Sequence, residues 1–483
     1  MKPAFVELTV ELDRTSASIF LLYLFLMLNR RDFVKYSSAG LLGATLLNGC
    51  RDNSEPIVRE ETIANRPNII VLIADDLRWD CIGKLNNIIQ TPNLDRLCDR
   101  GMFFANNFVT TSICPTSRAS IFTGMYARKH EVWDFETALT RKQWRNTYHH
   151  LLQQVGYTTA FIGKWGLGGE PAKDEFDRWD GFLLQGNYYT DEREEHLTDY
   201  LTTQAENFIR SQKDNFCLTL SYKAPHVDDD PDEPFVPDRK FVRQYQGINI
   251  PRYDTQTSAQ SLPDFLQNTE AQLRYEQRFA TEELYQKSVK NYYRLISGID
   301  ESIGRIVRTL EEQNSDRDTY IIFTSDNGFF LGEKGLAGKW FGFEPAIRTP
   351  LIITSLKNPL SQSQIVTDFS LNIDIAPTVL SLAKVALEKP LFQGINLVAT
   401  APVARDWWFY EHLFEHPPLN IPVNVGIRSL RYKYLSFPEH DYEMLFDLKR
   451  DPKENNNLAD NTDYGEILQQ YRQLVKQSEQ HLS

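Results

Sequence analysis

Four places in the chain end an apolar run with residues that could do chemistry. Asp75-Asp76 close the run Ile69 to Ala74, and Asp326-Asn327 come just after Tyr320 to Thr324. Lys164 comes just after Thr158 to Ile162, and His226 follows Phe216 to Tyr222. Asp75, Asp76, Asp326 and Asn327 supply hard oxygen donors from two distant segments, a set that suits Ca²⁺ or Mg²⁺, whereas zinc would ask for His or Cys. Around such an ion Arg118, Lys164, Lys339 and His226 add positive charge, and the whole reads as a clamp for a tetrahedral oxyanion ester. Taken singly each residue says little, because a strand-end Asp-Asp is commonly a turn or a helix cap and a lone Lys is commonly solvated surface. Their recurrence at the ends of strand-like runs is what points to one shared site.

Something must bring these distant segments together. The apolar runs show little alternation, as expected for strands buried on both faces. Between the runs at 216–222 and 320–324, Leu284, Val289, Tyr293, Ile296, Ile299, Ile303, Ile306, Val307 and Leu310 fall close to a 3.6-residue period and predict a long helix. In an open α/β sheet ligands bind beyond the carboxyl ends of the strands, so all four polar clusters are expected to meet there. A turn-rich stretch, Gln393 to Leu397, marks a boundary near 395–405. Short aromatic strands follow (Trp407 to Tyr410, Tyr432 to Leu435, Met444 to Phe446), then a helix over Glu466 to Gln480. The division is therefore a catalytic domain over 66–400 and a smaller C-terminal subdomain over 401–483. The acidic, Pro-rich segment Asp228 to Pro237 and the polar stretch to about Gln277 read as a long surface insertion beside His226, where loops commonly set specificity.

Composition narrows the partners. With 483 residues, 41% hydrophobic and 12% aromatic, the chain can bury a large core. A net charge of −13 and no basic stripe exclude nucleic acid as the main partner. Cys50, Cys81, Cys98, Cys114 and Cys217 make neither a CxxC zinc site nor an even disulfide framework.

Residues 1–50 read as an address. Arg30-Arg31-Asp32-Phe33-Val34-Lys35 before the apolar run Ala39 to Leu47 resembles a twin-arginine export signal, and Leu47-Asn48-Gly49-Cys50 resembles a lipoprotein cleavage box. The apolar run Ile19 to Leu28 is too short to span a bilayer, and a start at Met27 would explain it. The expectation is an exported chain in the periplasm or on the outer membrane or cell surface, anchored to the membrane through a lipidated Cys50, with 51–65 as a tether.

The stretch Ser112-Ile113-Cys114-Pro115-Thr116-Ser117-Arg118-Ala119-Ser120-Ile121-Phe122-Thr123-Gly124 resembles the signature of type I sulfatases, in which the Cys is oxidised to formylglycine. Other landmarks agree in order: Arg66-Pro67-Asn68 into Asp75-Asp76, Thr91-Pro92-Asn93, Gly163-Lys164-Trp165, Ala224-Pro225-His226, Thr324-Ser325-Asp326-Asn327-Gly328, Lys339, Arg348-Thr349-Pro350, and Leu445-Phe446-Asp447-Leu448. The resemblance covers roughly 66 to 460 and implies an alkaline-phosphatase-like α/β sandwich. Its large, mixed, mostly parallel sheet would be flanked by helices, with a smaller C-terminal α+β domain. It also implies a sulfuric ester hydrolase with Ca²⁺ (or Mg²⁺) on Asp75, Asp76, residue 114, Asp326 and Asn327, and a sulfated carbohydrate or other sulfate ester as substrate. A maturation enzyme must convert Cys114.

By the same resemblance Arg118 holds the formylglycine and its neighbours in place, Lys164 and Lys339 contact the sulfate or the diol, and His226 or Lys339 protonates the leaving alcohol. Ser117-Arg118-Ala119-Ser120 should open a helix whose N-terminal dipole favours the sulfate charge. The hydrated aldehyde offers two hydroxyls: one attacks sulfur, and loss of the other's proton expels sulfate and restores the aldehyde. The chain departs from the family twice. Thr116 stands where the motif has Pro or Ala, with Pro moved to 115, and Gly166 stands where a His commonly follows Lys164-Trp165. Another group or a water must serve as that base, and His130 is one candidate. Two other functions compete, a phosphoester or phosphonate hydrolase of the same superfamily and a non-catalytic binder of sulfated glycan.

Overall fold

Residue Asn68 opens a strand in which every side chain is buried, and its alternate residues enter two different cores. Ile70, Leu72 and Ala74 pack with the long helix Glu282–Gln313, while Ile69, Val71 and Ile73 pack with Ala119, Phe122, Leu151 and Val379 on the other side. A strand turns successive side chains to opposite faces, so one covered on both sides must be apolar throughout. Truncating one of these isoleucines to alanine would cost about 2–5 kcal/mol. The structure is a computed structural model and describes residues 66–172, 174–228, 233–253, 262–358, 360, 364–400, 404–414 and 419–482. The export signal 1–50, the Met27 start, the lipidation site Cys50 and the tether 51–65 lie outside the described residues.

The main sheet is built from eight strands among the described residues. In chain order they are β1 (Asn68–Asp75), β2 (Met102–Phe104), β3 (Thr158–Lys164), β4 (Arg178–Phe182), β5 (Phe216–Pro225), β6 (Thr319–Ser325), β7 (Leu351–Ser355) and β8 (Gln364–Val366). Their order across the sheet is β8-β2-β7-β6-β1-β5-β3-β4, and only β7 runs against the others. The sheet is thus mixed and mostly parallel, as expected. The four strands with polar ends, β6, β1, β5 and β3, are consecutive neighbours. Ala74 pairs with Ser325, Asp75 with Pro225, and Gly163 with Ser221, so the registers end level.

Beyond it lies a four-stranded antiparallel sheet: β9 (Trp407–His412), β10 (Asn424–Ser429), β11 (Tyr432–Phe437) and β12 (Tyr442–Asp447). Strand β10 has no aromatic side chain and escapes a reading based on aromatic runs. The last helix, Gly465–Leu482, buries Leu468, Tyr471 and Val475 along one stripe. This layer shares its core with Phe108, Phe341 and Phe343 from the first part of the chain. The long helix matches the expected period, with Leu284 half-buried in its first turn. The stretch after His226 is more than a surface insertion: Phe235, Tyr245 and Ile250 join the core under the long helix, and Leu262, Leu266 and Ala271 join that of the second sheet. Among the described residues no helix is long and apolar enough to cross a membrane.

Candidate active site

The level strand ends deliver Asp75, Asp76, Lys164, His226, Asp326 and Asn327 to one place, and the helix Cys114–Thr123 points its first residue at them. Every side chain of that helix is buried. It begins at Cys114 rather than at Ser117, because Pro115 in its first turn has the right φ and no amide hydrogen to strand. Cys114 Sγ lies 3.4 Å from Asp75 Oδ1, 2.9 Å from Lys339 Nζ and 4.0 Å from Lys164 Nζ. Lys339 also donates to Asp76 Oδ1 at 2.5 Å, and Lys164 pairs with Asp75 Oδ2.

Arg118, fully buried on the next turn of that helix, ties the carboxylates together. Its Nε donates to Asp326 Oδ2 at 2.9 Å, its Nη2 to Asp75 Oδ2 at 3.0 Å, and its Nη1 to Ser221 Oγ and the Lys164 carbonyl. Asp76 holds a left-handed backbone, φ 66, which an Asp tolerates better than most residues, and its N–H donates to Asp326 Oδ1 at 3.1 Å. Lys339 is fixed from its C-terminal side. Trp340 has φ 81, strained for a bulky side chain; its N–H donates to the Ser112 carbonyl, and its own carbonyl accepts from Tyr410 and Asn424. Since the Tyr410 hydroxyl hydrogen goes to Trp340, the 2.7 Å contact with Ser112 Oγ has serine as donor. The second sheet thereby sets the position of both Lys339 and the loop before Cys114.

The electrostatics are those of a site awaiting a charge. Asn327 Nδ2 donates to Asp76 Oδ1 at 2.6 Å, but its Oδ1 is buried with no hydrogen-bond partner among the described residues. An orphaned acceptor beside three carboxylates fits a hard cation. Asp75, Asp76, Cys114 and His226 also bring ligand atoms within 4.8 Å of one another. Burial opposes ionisation of Asp75, yet Lys164 first, then Arg118 and Lys339, hold it well below the usual carboxylate range. Burial and then Asp75 push Asp326 up to about 6 against Arg118 and Lys339. Burial and the Asp75 charge push the Cys114 thiol up to about 12 despite both lysines. Burial and then Lys164 press His226 well below its usual value, against the pull of Asp75. Its Nδ1–H donates to the Val227 carbonyl at 2.8 Å, so a neutral His226 presents a bare Nε2, 3.6 Å from Asp76 Oδ2. Lys339 keeps its proton: burial works against the charge, and Asp76, Cys114 and Asp75 more than restore it.

His130 is not in the site. Its Nε2 bonds Ser120 Oγ at 3.0 Å, its Nδ1 accepts from the Val132 N–H at 3.1 Å, and burial lowers its pKa to about 3. Nor can a His occupy position 166 as the chain stands. Gly166 has φ +78, and a Cβ there would lie 2.6 Å from Arg118 Cδ. Residues that motif reading missed include Ser221, which holds Arg118, and Gln185, whose Oε1 accepts from Lys164 at 2.6 Å. Among the described residues Cys81, Cys98, Cys114 and Cys217 are all buried free thiols. A pocket of about 340 Å³ leads to the site, lined by Gln185, His226, Arg274, Arg278, Lys339 and Trp340 among others.

The sulfatase family profile matches residues 67–385, and the profile for the C-terminal region of N-sulphoglucosamine sulphohydrolase matches 332–481. The chain belongs to the sulfatase family. It is 30% identical to an N-acetylglucosamine-6-O-sulfatase of Bacteroides thetaiotaomicron over 87% of each protein, and 29% identical to the choline-sulfatase of Rhizobium meliloti over 82% of this chain and 83% of that one. A structure solved in complex with its substrate D-glucosamine-2-N,6-O-disulfate superposes with a TM-score of 0.73 at 27% identity, covering 86% of this chain and 98% of that one. The phosphonate monoester hydrolase of Agrobacterium radiobacter gives 0.71 at 20% identity over 86% and 96%, a likeness of fold alone. As a sulfatase the chain is a hydrolase of sulfuric esters, and the alkaline-phosphatase-like fold expected from its motifs is the one found.

Proposed function

We propose that this sulfatase removes sulfate from a sulfated amino sugar, with formylglycine made from Cys114 and a calcium ion held by Asp75, Asp76, Asp326 and Asn327. The observation that carries the reading is the state of residue 114. A buried thiol with its pKa near 12 is no nucleophile at neutral pH, yet two ammonium groups and a helix N-terminus converge on it. A hydrated aldehyde there supplies the attacking oxygen that the thiol cannot, and a second hydroxyl whose deprotonation releases sulfate. Calcium, when bound, neutralises sulfate charge and lowers the pKa of an oxygen it touches.

The chain's own groups divide the remaining work. Arg118 orients Asp75 and Asp326 and contacts no solvent, so its role is to hold the ligands. Lys164 and Lys339 meet the charge of the sulfate oxygens. Lys339 carries a proton beside residue 114, while neutral His226 turns a bare nitrogen to the site, so of the two Lys339 is the group with a proton to give to the departing sugar oxygen. The amino-sugar assignment draws on the relatives named for N-acetylglucosamine 6-O-sulfate and glucosamine disulfate.

The test is mass spectrometry of the peptide containing residue 114, with sulfate release measured on N-acetylglucosamine 6-sulfate. Expression beside a maturation enzyme should give the aldehyde form despite Thr116, and only that form should turn over. Turnover by protein carrying unmodified Cys114 would move the nucleophile elsewhere. A fully converted, calcium-loaded chain that releases no sulfate would favour a binding role.

A further inference from the structure

The approach pocket holds a cation that the chemistry above does not use. Arg278, the last residue of the helix Glu270–Arg278, lines the pocket and is only 8% exposed. Its Nη1 is buried with no hydrogen-bond partner, and no carboxylate lies within ion-pair distance of it among the described residues. The neighbouring cations are all matched. Arg274 pairs with Glu270 at 2.7 Å and rests on the Trp340 ring, Lys223 pairs with Asp228 at 3.0 Å, and Lys164 and Lys339 pair with Asp75 and Asp76. Burial and then repulsion from Arg274 lower the Arg278 guanidinium to about 9, with Asp76 and Glu270 opposing. A last-turn position favours a cation through the helix dipole, but that gain is small beside the penalty for burying an unpaired charge. A guanidinium left unpaired beside a substrate pocket is matched by an anion that arrives with the substrate, and its planar fork suits two oxygens of one group.

We infer that Arg278 binds a second anionic group of the substrate, so that the preferred sugar carries a sulfate or carboxylate besides the ester that is cut. This rests on the sulfatase reading of the site. Gln185 and Gln277 line the same pocket and offer neutral partners for hydroxyls, whereas Arg278 alone offers unmatched charge there among the described residues.

Three substrates test it with the converted, calcium-loaded full chain: N-acetylglucosamine 6-sulfate, glucosamine 2-N,6-O-disulfate, and a disaccharide joining one 6-O-sulfated N-acetylglucosamine to a uronic acid. At least one doubly anionic substrate should exceed the singly charged one in kcat/KM by about tenfold or more. Which one does so tells sulfate from carboxylate. Arg278→Ala should collapse that ratio, mainly through KM, and Arg278→Lys should restore part of it. Absence of any preference in the wild-type chain overturns the inference even if the variants fail to fold, and so does an equal loss on all three substrates in Arg278→Ala. Failure of the wild-type chain on all three would instead bring down the amino-sugar reading, and the inference with it.

Discussion

Two of the clusters of buried charge among the described residues are built to opposite ends. At the junction with the second sheet, Glu344 pairs with Arg428 at 2.9 Å and with Lys433 at 2.8 Å, and Lys433 goes on to Glu454 at 2.6 Å. Burial works against the charge of Glu344, but Arg428 and Lys433 hold it far below the usual carboxylate range. Each charge there lies within ion-pair distance of an opposite one, though burial and then Glu344 push Glu454 up against Lys433. The cluster at the strand ends has the same ingredients but gathers three carboxylates, Asp75, Asp76 and Asp326, where Asn327 Oδ1 has no partner among the described residues and Asp326 is pushed up to about 6. Buried ions alone therefore do not mark a function. What marks the site is an acceptor, Asn327 Oδ1, left without a partner among the described residues where three carboxylates converge, because a buried polar atom is costly without a ligand.

Removing one carboxylate from each cluster should break the comparison most sharply. Asp326→Ala is expected to lower sulfate release to below about a thousandth and to erase the rise in Tm that calcium gives, since a ligand stabilises only the state that binds it. Glu344→Ala should destabilise by about 3–5 kcal/mol, by leaving Arg428 without its carboxylate and Lys433 with Glu454 alone, while the calcium-induced rise in Tm persists. Melting curves with calcium and with chelator separate the two. Full activity of the chelated wild-type protein would remove the metal from the proposal, and loss of the calcium response in Glu344→Ala would show the clusters to be one.

A smaller effect is expected at Gly166, where the family's usual His is missing. Gly156 and Gly166 both have left-handed backbones, φ +84 and +78, but a Cβ at 156 would meet nothing within 4 Å whereas one at 166 would strike Arg118. Gly156→Ala should thus cost about 1 kcal/mol from backbone strain alone. Gly166→Ala should cost about 1–3 kcal/mol and roughly tenfold in kcat, because Arg118 must move and it holds Asp75 and Asp326. Equal behaviour of the two variants would mean that Arg118 has room to spare and that its packing does not set the ligand geometry.

The same contrast explains what could be read from the sequence. The strand ends were legible because each apolar run is short, rich in β-branched or aromatic residues and cut off by polar ones, which reads as a strand buried on both faces, and the topology rule then carries its polar end to the site. The long helix was legible from its period. Strand β10 was not, since Asn424 to Ser429 mixes polar and small residues and finds its register only by pairing with β9 and β11. Ser221 sits inside an apolar strand and Gln185 on a loop, so neither belongs to a pattern until Arg118 and Lys164 are placed beside them. Arg274 and Arg278 at a four-residue spacing look like a solvated helix face. Only the pocket wall shows that one is paired and the other is not. His130 was misplaced because a lone histidine gives no direction in space, and here both its nitrogens serve the turn after the signature helix.

Acid gives the finest discrimination between the clusters. Asp326 must be ionised to bind a cation, and burial with the nearby Asp75 sets its proton affinity near pH 6. Calcium binding competes with that proton, so the stabilisation that calcium gives should be nearly complete by about pH 7 and shrink below pH 6, by at most about 1.4 kcal/mol for each further unit, with the rise in Tm shrinking accordingly. Glu344 runs the other way. Its folded pKa lies below its unfolded value of 4.5, so its contribution is fully present above about 4.5 and is lost only as the pH falls through the depressed folded value. Between pH 6 and pH 5 the strand-end cluster should therefore weaken its hold on calcium while the contribution of Glu344 is untouched. Melting temperatures of wild-type, Asp326→Asn and Glu344→Gln proteins across that interval, with calcium and with chelator, check both signs. A calcium response that is flat from pH 7 to pH 5 would mean that Asp326 is not the group that titrates against the ion.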